Sequence, residues 1–507
     1  MTTPSTTSVQ TRAAEPRSRN RWVALGLLAS AQLMLVLDVT VVNVALPDIG
    51  RALRLQRSAL PWVMTTYTLF FGGLMLLGGR IADMVGARRL TLIGLAVFTA
   101  SSLLCGLSGG PDMLLLGRSM QGIGAALMSP AALATVMTLF TDSARGKALG
   151  VWSAISGIGS AVGVILGGVL TSVAGWRWVF AINVPIGVAL LVAIPLVAPA
   201  SRPSLGKHSS LDAPGAILVT AGTGAAIYGL INVGSRGWTA TTTLVPLLLA
   251  LAIWAVFAVV EGRARNPLLN VALLARRPTL GGSFLMLIAT GLMVGGFFLG
   301  SFALQHAHGY SALHVGLAFL PMAIATIAGA QTATKALARV NARTVAIAGL
   351  ALAAGGYAIA AEWTQSVTLI TGLSVATLGI GATFVTAFTA ALSDVPSAEG
   401  GLRSALVSTF HELGGATGVA VLSSVAGAGL IAANVSTHDF SRAFTVGAAI
   451  TVGSGHRCRC GTEGRPDHDA VAGVGRTSTV APAGVRDTAA TRCAGGVQLP
   501  RARASSA

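Results

Sequence analysis

The chain has 507 residues, of which 53% are hydrophobic and only 10% are charged, and its formal net charge at pH 7 is +17. Soluble globular proteins carry about 25% charged residues, so this composition excludes a soluble protein. The positive charge does not indicate nucleic-acid binding, because most arginines and lysines stand singly between apolar segments and form no basic patch.

The mean hydropathy of +0.74 comes from long apolar runs separated by short polar breaks. Each run is close to the roughly 20 residues that a helix needs to cross a bilayer. We therefore predict an all-α integral membrane protein. The predicted spans are 22–46, 61–79, 90–108, 113–137, 148–171, 178–199, 212–233, 240–260, 280–304, 312–333, 344–362, 367–391 and 403–431, with a weaker one that begins near Ala443.

The orientation of these spans follows from the arginines and lysines of the loops. If the N-terminus is inside the cell, most of these residues lie on the inside, as the positive-inside rule requires. The one contrary loop is 50–60, which contains Arg51, Arg54 and Arg57. We predict a multi-pass protein of the cell membrane with an uncleaved first span and a cytoplasmic N-terminal tail.

The first span, 22–46, contains a single charged residue, Asp38, well inside the apolar run. A carboxylate at bilayer depth costs roughly 2.5–3.5 kcal/mol on insertion scales, so such a residue is a candidate functional site. The alternative is a structural aspartate that is satisfied by neighbouring helices. We favour a functional role.

The short connection between the second and third spans contains closely spaced glycine, acidic and basic residues. Glycine permits a tight turn, and a carboxylate here can meet a helix N-terminus or a guanidinium. The pattern resembles the loop motif of the major facilitator superfamily, although Met84 stands where that family has a basic residue. The residues that match are Gly79, Asp83, Gly86, Arg88 and Arg89.

Three further segments resemble the 14-helix drug:proton antiporters of that superfamily. They are 37–47 around Asp38, 62–67, and 116–126 in the fourth span, which contains Arg118. In the family the position of Arg118 is linked to proton transfer, and we expect a carboxylate or a backbone carbonyl as its partner. The alternative is a structural arginine whose head group reaches the interface.

The fifth span has small residues at intervals of four, which let two helix backbones approach closely. These are Gly159, Gly163, Gly167 and Gly168, and they resemble the family's antiporter motif, with Val164 where the family has proline. Tight packing alone is an equally good interpretation.

In the thirteenth span, His411 and Glu412 also resemble a family motif, with His411 in place of arginine. His411 is a further candidate for proton coupling because a histidine can titrate near neutral pH. The alternative, which we favour, is a satisfied core histidine.

The resemblance covers residues 22 to about 450 and implies a major facilitator fold of two six-helix bundles plus an inserted helix pair. The implied divisions are a tail at 1–21, a bundle at 22–199, the inserted pair at 211–260, a bundle at 279–452 with a truncated final helix, and a tail at 453–507.

The implied function is proton-coupled efflux of a small hydrophobic or cationic drug by alternating access, with the proton gradient as the energy source and no cofactor. An apolar environment favours the protonated form of a carboxylic acid, so Asp38 is the expected main coupling site, Glu412 an auxiliary one and Arg118 their modulator. Tyr67, Gln121, Gln305 and Phe384 are the expected cavity residues. No enzyme motif, and no P-loop that would indicate ATP hydrolysis, is present.

Two other functions stay open: proton-coupled transport of an endogenous metabolite, and a membrane sensor that binds a partner through its tail. The tail is polar and rich in arginine. It is either natively disordered or the product of a shifted reading frame in GC-rich DNA, and we favour the second interpretation. We expect no metal site from His456, Cys458, Cys460 and His468.

Overall fold

The computed structural model describes residues 18–56, 59–140, 142–199, 212–264, 277–391, 400–426 and 437–460. In this part of the chain, helices are joined by short turns because a backbone in lipid must satisfy its hydrogen bonds internally. The helices are α1 (Ser18–Ala52), α2 (Leu60–Val85), α3 (Ala87–Gly106), α4 (Pro111–Leu139), α5 (Asp142–Val173), α6 (Arg177–Ala181), α7 (Asn183–Val197), α8 (Ala213–Arg236), α9 (Thr241–Arg263), α10 (Arg277–Ala307), α11 (Ala312–Leu337), α12 (Ala342–Ala361), α13 (Ser366–Ala391), α14 (Gly400–Ala426) and α15 (Thr437–Cys460).

The predicted spans agree with these helices to within a few residues at most ends. Within the described residues, 11 helical segments are long and apolar enough to cross a membrane. They are α1 to α4, the segment formed by α6 and α7, and α8 to α13. The chain is therefore a multi-pass membrane protein with an all-helical fold.

The helices from α1 to α7 pack mainly against one another, and so do those from α10 to α15. Two helix pairs join the groups: α2 packs against α14, and α5 packs against α11. A third connection lies at the end of α1, where Nε2 of Gln305 on α10 donates to the carbonyl oxygen of Val44 at 3.0 Å.

The inserted pair, α8 and α9, lies at the edge of the molecule. Only 11% of the most apolar stretch of α9 is buried, against 78% of the corresponding stretch in α2 and in α10. The inner member, α8, packs against both α2 and α14. Ile227 and Ile231 of α8 contact Leu69 and Leu413 there. The pair therefore covers one of the two junctions between the helix groups.

The last helix differs from the prediction. It begins at Thr437, ahead of the expected start near Ala443, and its backbone stays helical to Cys460, past the expected end at residue 452. A polar sequence can form a helix without being apolar enough to span, and α15 is not among the 11 candidate spans of the described residues. The predicted tails were 1–21 and 453–507, and the structure instead begins α1 at Ser18 and continues α15 to Cys460. The remaining parts of both tails, 1–17 and 461–507, and with them both interpretations of the C-terminus, lie outside the described residues.

Candidate functional site

Asp38 lies in the middle of α1 and is 1% exposed. Its carboxylate oxygen Oδ2 is 2.5 Å from Nη1 of Arg118, which projects from α4. Both side chains are completely shielded from solvent. The two charged residues that the sequence places inside separate apolar helices thus form one buried ion pair.

The second carboxylate oxygen of Asp38, Oδ1, accepts two hydrogen bonds from amide side chains. Nε2 of Gln121 donates from 3.2 Å, and Nδ2 of Asn183, the first residue of α7, also donates from 3.2 Å. Gln121 is itself fixed, because its Oε1 accepts from Arg118 Nη1 at 2.9 Å and its Nε2 donates to Oγ of Ser102 at 2.7 Å. Helices α1, α3, α4 and α7 therefore meet in one hydrogen-bond network.

Arg118 has both kinds of partner that the sequence suggested. Besides the Asp38 carboxylate, its Nε donates to the carbonyl oxygen of Val63 on α2 at 2.9 Å. The guanidinium carbon also lies 4.4 Å from the centroid of the Tyr67 ring, a cation–π contact. This arrangement ties the ion pair to α2, the helix that packs against α14.

Two buried donors in this cluster have no hydrogen-bond partner among the described residues. They are Nη2 of Arg118 and the hydroxyl of Tyr67. A buried polar group that stays unpaired costs about 1–3 kcal/mol, so natural proteins seldom retain one without a reason. The cluster can therefore donate to one more acceptor beside Tyr67.

Burying two charges costs several kcal/mol per ion, and their attraction offsets this only when further hydrogen bonds satisfy the remaining polar atoms. Here Asp38 accepts from Arg118, Gln121 and Asn183. Replacing a buried ion pair by well-packed apolar residues is often neutral or stabilising, so stability alone does not account for such a pair. This supports a functional reason for the pair.

The second carboxylate, Glu412, lies on α14 where this helix meets α2. Its Cβ is so close to Gly72 that a Cβ added to this glycine would lie 2.8 Å away. Glu412 is half-buried at this junction.

His411, next to Glu412, faces the C-terminal helices. Its Nδ1 is 2.8 Å from Oγ1 of Thr290, and its ring centroid is 5.5 Å from that of Phe384. The four expected cavity residues therefore fall into three places. Tyr67 and Gln121 belong to the Asp38 cluster, Phe384 accompanies His411, and Gln305 bonds to Val44 and Ser301. Their role in a common substrate cavity stays a prediction.

The loop motif forms a one-residue connection. Helix α2 ends at Val85, α3 begins at Ala87, and Gly86 between them has a φ of 95°. The backbone N–H of Gly86 donates to the carbonyl oxygen of Ala82 at 2.9 Å, which closes the last turn of α2. Only glycine adopts this backbone region readily.

The other members of the motif lie around that turn. Nη2 of Arg88 donates to the carbonyl oxygen of Pro195 at 2.8 Å, so it bonds the last turn of α7 to the start of α3. Asp83 and Arg89 are exposed. Gly79 lies in the last turns of α2 and faces Pro130 of α4 loosely.

Gly86→Ala should lower the free energy of unfolding by about 1–2 kcal/mol, because a Cβ clashes with the backbone at positive φ. Gly79→Ala is the matched control. A Cβ there would meet only the Pro130 Cβ at 3.9 Å, an ordinary contact, and alanine favours the helix by up to about 1 kcal/mol. Thermal unfolding of the purified variants in detergent measures both effects. Equal melting temperatures for the two variants would contradict the strain at Gly86.

The glycines of the fifth span mark close backbone contacts of α5. A Cβ on Gly167 would lie 2.8 Å from Cα of Val41 on α1, and a Cβ on Gly168 would lie 2.7 Å from the carbonyl oxygen of Ala312 on α11. Gly159 and Gly163 face α1 at Leu33 and Thr40. Helix α5 is uninterrupted through Val164, where the resembling family has proline. The motif thus packs α5 against α1 and against α11.

Several residues of the site were not singled out from the sequence as members of it. Asn183, Ser102 and Thr290 each hydrogen-bond a candidate residue. Asn183 was detectable in principle, since it is a polar residue in an apolar run and follows the break between α6 and α7. Ser102 and Thr290 carry hydroxyls that are common inside membrane helices, so the sequence offers no means of choosing them. Among the described residues no group of side chains could hold a metal ion.

Comparison with known proteins gives a consistent result. The family model described as Major Facilitator Superfamily matches residues 28–419. A puromycin resistance protein of Streptomyces alboniger is 37% identical over 455 residues, covering 88% of this chain and 90% of the relative. A cephamycin export protein of Amycolatopsis lactamdurans is 37% identical over 420 residues, covering 80% and 85%.

Among solved structures, a bacterial homologue of the human lysosomal transporter Spinster, in an inward-facing and unoccupied conformation, has a similar fold. Its TM-score is 0.63 at 14% identity, with 87% of this chain and 96% of the other covered. At this identity the likeness concerns the fold alone.

Proposed function

The chain belongs to the major facilitator superfamily, and we propose that it exports drugs across the membrane in exchange for protons. The observation that carries the coupling part of this proposal is the buried ion pair of Asp38 and Arg118. The relatives named for puromycin resistance and cephamycin export support a small hydrophobic or cationic drug as the cargo. The energy source is the proton gradient, and no cofactor takes part.

The coupling step is proton binding to Asp38. A proton on the carboxylate neutralises it and removes its attraction for Arg118, so the contact between α1 and α4 weakens when the proton arrives. The amides of Gln121 and Asn183 lose their charged acceptor in the same step. Proton occupancy is thereby linked to the packing of four helices. A cationic drug near Asp38 favours the ionised carboxylate, so drug and proton compete.

The proposed orientation has a cytoplasmic N-terminus, as the arginine and lysine distribution suggests. In that orientation the contacts of Gln305 with Val44, and of the Leu313 N–H with Oγ of Ser172 at 3.0 Å, lie toward the outer side. These contacts join the two helix groups there.

Drug efflux from cells tests the function directly. Cells that express the chain should retain less of a cationic dye than cells without it, and a protonophore should abolish the difference. A panel of minimum inhibitory concentrations then identifies the exported drugs. Unchanged retention and unchanged resistance, with the protein present in the membrane, would refute drug export. Transport of an unrelated metabolite in the same cells would favour the other transport hypothesis.

Tyr67→Phe should lower proton-coupled efflux without lowering stability. Phenylalanine keeps the ring beside Arg118 but removes a hydroxyl that has no partner among the described residues. Tyr357→Phe is the matched control, because the hydroxyl of Tyr357 is also buried but donates to the carbonyl oxygen of Leu292. It should lose about 1 kcal/mol of stability and retain efflux. Full efflux by Tyr67→Phe would mean that Tyr67 serves in packing alone.

A further inference from the structure

A cavity of about 510 Å³ lies between the inserted helix pair and the last two helices. Its walls come from the end of α8 and the turn after it, from the last turns of α14 and from the first turns of α15. The lining residues are Leu230, Trp238, Val421, Ser424, Val425, Arg442, Thr445 and Val446. No residue of the Asp38 cluster lines the cavity.

The lining is apolar apart from one cation. The hydroxyls of Ser424 and Thr445 are both used within their own helices, where they donate to the carbonyl oxygens of Val421 and Ser441. Arg442 is exposed, and no ion pair is recorded for it within the described part of the chain. Its guanidinium is therefore available to an anion from outside the chain.

The surroundings of the cavity are those of a site that opens to lipid. Trp238, at its rim in the turn between α8 and α9, is 62% exposed. Tryptophan at such a position is typical of the boundary between hydrocarbon and head groups. The neighbouring helix α9 is the most exposed of the candidate spans in the described residues.

We propose that this cavity binds an anionic phospholipid, with the head group at Arg442 and the start of the acyl chains against Leu230, Val421 and Val425. A guanidinium binds phosphate oxygens through paired, charge-assisted hydrogen bonds, and an exposed pair of opposite charges contributes up to about 1 kcal/mol. The volume of the cavity is in the range of ligand sites, which bury most of a bound molecule. A lipid held here bridges the inserted pair to α14 and α15. This inference does not depend on which cargo the protein exports.

Fluorescence quenching by brominated lipids tests the proposal on the purified full-length protein in detergent. Brominated phosphatidylglycerol and brominated phosphatidylcholine are titrated separately, and the difference between the wild type and Trp238→Phe isolates the signal of Trp238. We expect phosphatidylglycerol to quench Trp238 at about a five-fold lower mole fraction than phosphatidylcholine, the ratio that corresponds to about 1 kcal/mol.

Arg442→Gln should remove this five-fold preference, whereas Arg236→Gln should retain it. Arg236 is the matched control because it is another exposed arginine, at the end of α8, that does not line the cavity. Equal quenching by the two lipids in the wild type would overturn the anionic preference. An equal loss in both arginine variants would overturn the assignment to this cavity. Displacement of the lipid by an exported cationic dye would place the cavity on the transport path and also overturn the proposal.

Discussion

Asp38→Asn is expected to abolish proton-driven drug uptake into inverted membrane vesicles. Asparagine keeps the size and one oxygen acceptor of the side chain, so the amides of Gln121 and Asn183 still have a partner. It binds no proton near neutral pH, however, and it carries no charge for Arg118. Protonation at this position then no longer changes the helix contacts, so a pH gradient cannot drive drug uptake.

The measurement is substrate uptake driven by an imposed pH gradient, with equal amounts of inserted protein. Uptake by Asp38→Asn should fall to the background of vesicles without the protein, while equilibrium binding of the drug persists. Asp48→Asn is a closely matched control. Asp48 is on the same helix and also pairs with an arginine, Arg51 at 2.6 Å, but the Arg51 side chain is 68% exposed.

An exposed ion pair contributes only about 0–1 kcal/mol, so Asp48→Asn should transport normally. Normal gradient-driven uptake by Asp38→Asn would refute the coupling role of Asp38. Loss of uptake in both variants would mean that charge on α1 in general, and not the buried pair, is required.

Arg118→Gln should destabilise the protein, and the double variant Asp38→Asn/Arg118→Gln should recover much of that loss. Removing one partner of a buried ion pair leaves an uncompensated charge and costs about 3–5 kcal/mol. Removing both charges leaves two amides that can hydrogen-bond each other, so the double variant avoids the cost of a lone buried charge. The Asp38 side chain has zero exposure, so water does not reach the lone carboxylate that Arg118→Gln leaves.

The melting temperatures of the wild type, both single variants and the double variant in detergent form a double-mutant cycle. We expect a strong non-additive term, since residues in direct contact typically couple by 0.5–3 kcal/mol. The double variant should be well folded and still inactive in gradient-driven uptake. This outcome separates stability from coupling. Additive losses of melting temperature would show that the two charges do not depend on each other.

The sequence alone determined where the helices lie and that the chain is an all-α membrane protein. Asp38 and Arg118 were also identifiable, because each is a charged residue inside an apolar run. These features are local: a helix must be apolar over its own length to cross lipid, whatever its neighbours are. The last helix was predicted less well, since helix formation beyond residue 452 depends on backbone propensity and not on hydropathy.

Only the tertiary structure decided which polar groups meet. Asp38 lies 80 residues before Arg118 and 145 before Asn183, and the sequence between them contains no information on the rotation of α1, α4 and α7 about their axes. The tertiary structure likewise placed α8 on the junction of α2 and α14, where Glu412 is half-buried. Hydropathy fixes the depth of a helix in the bilayer. Packing between helices fixes which face of each helix points toward its neighbours, and that face decides which buried charges pair.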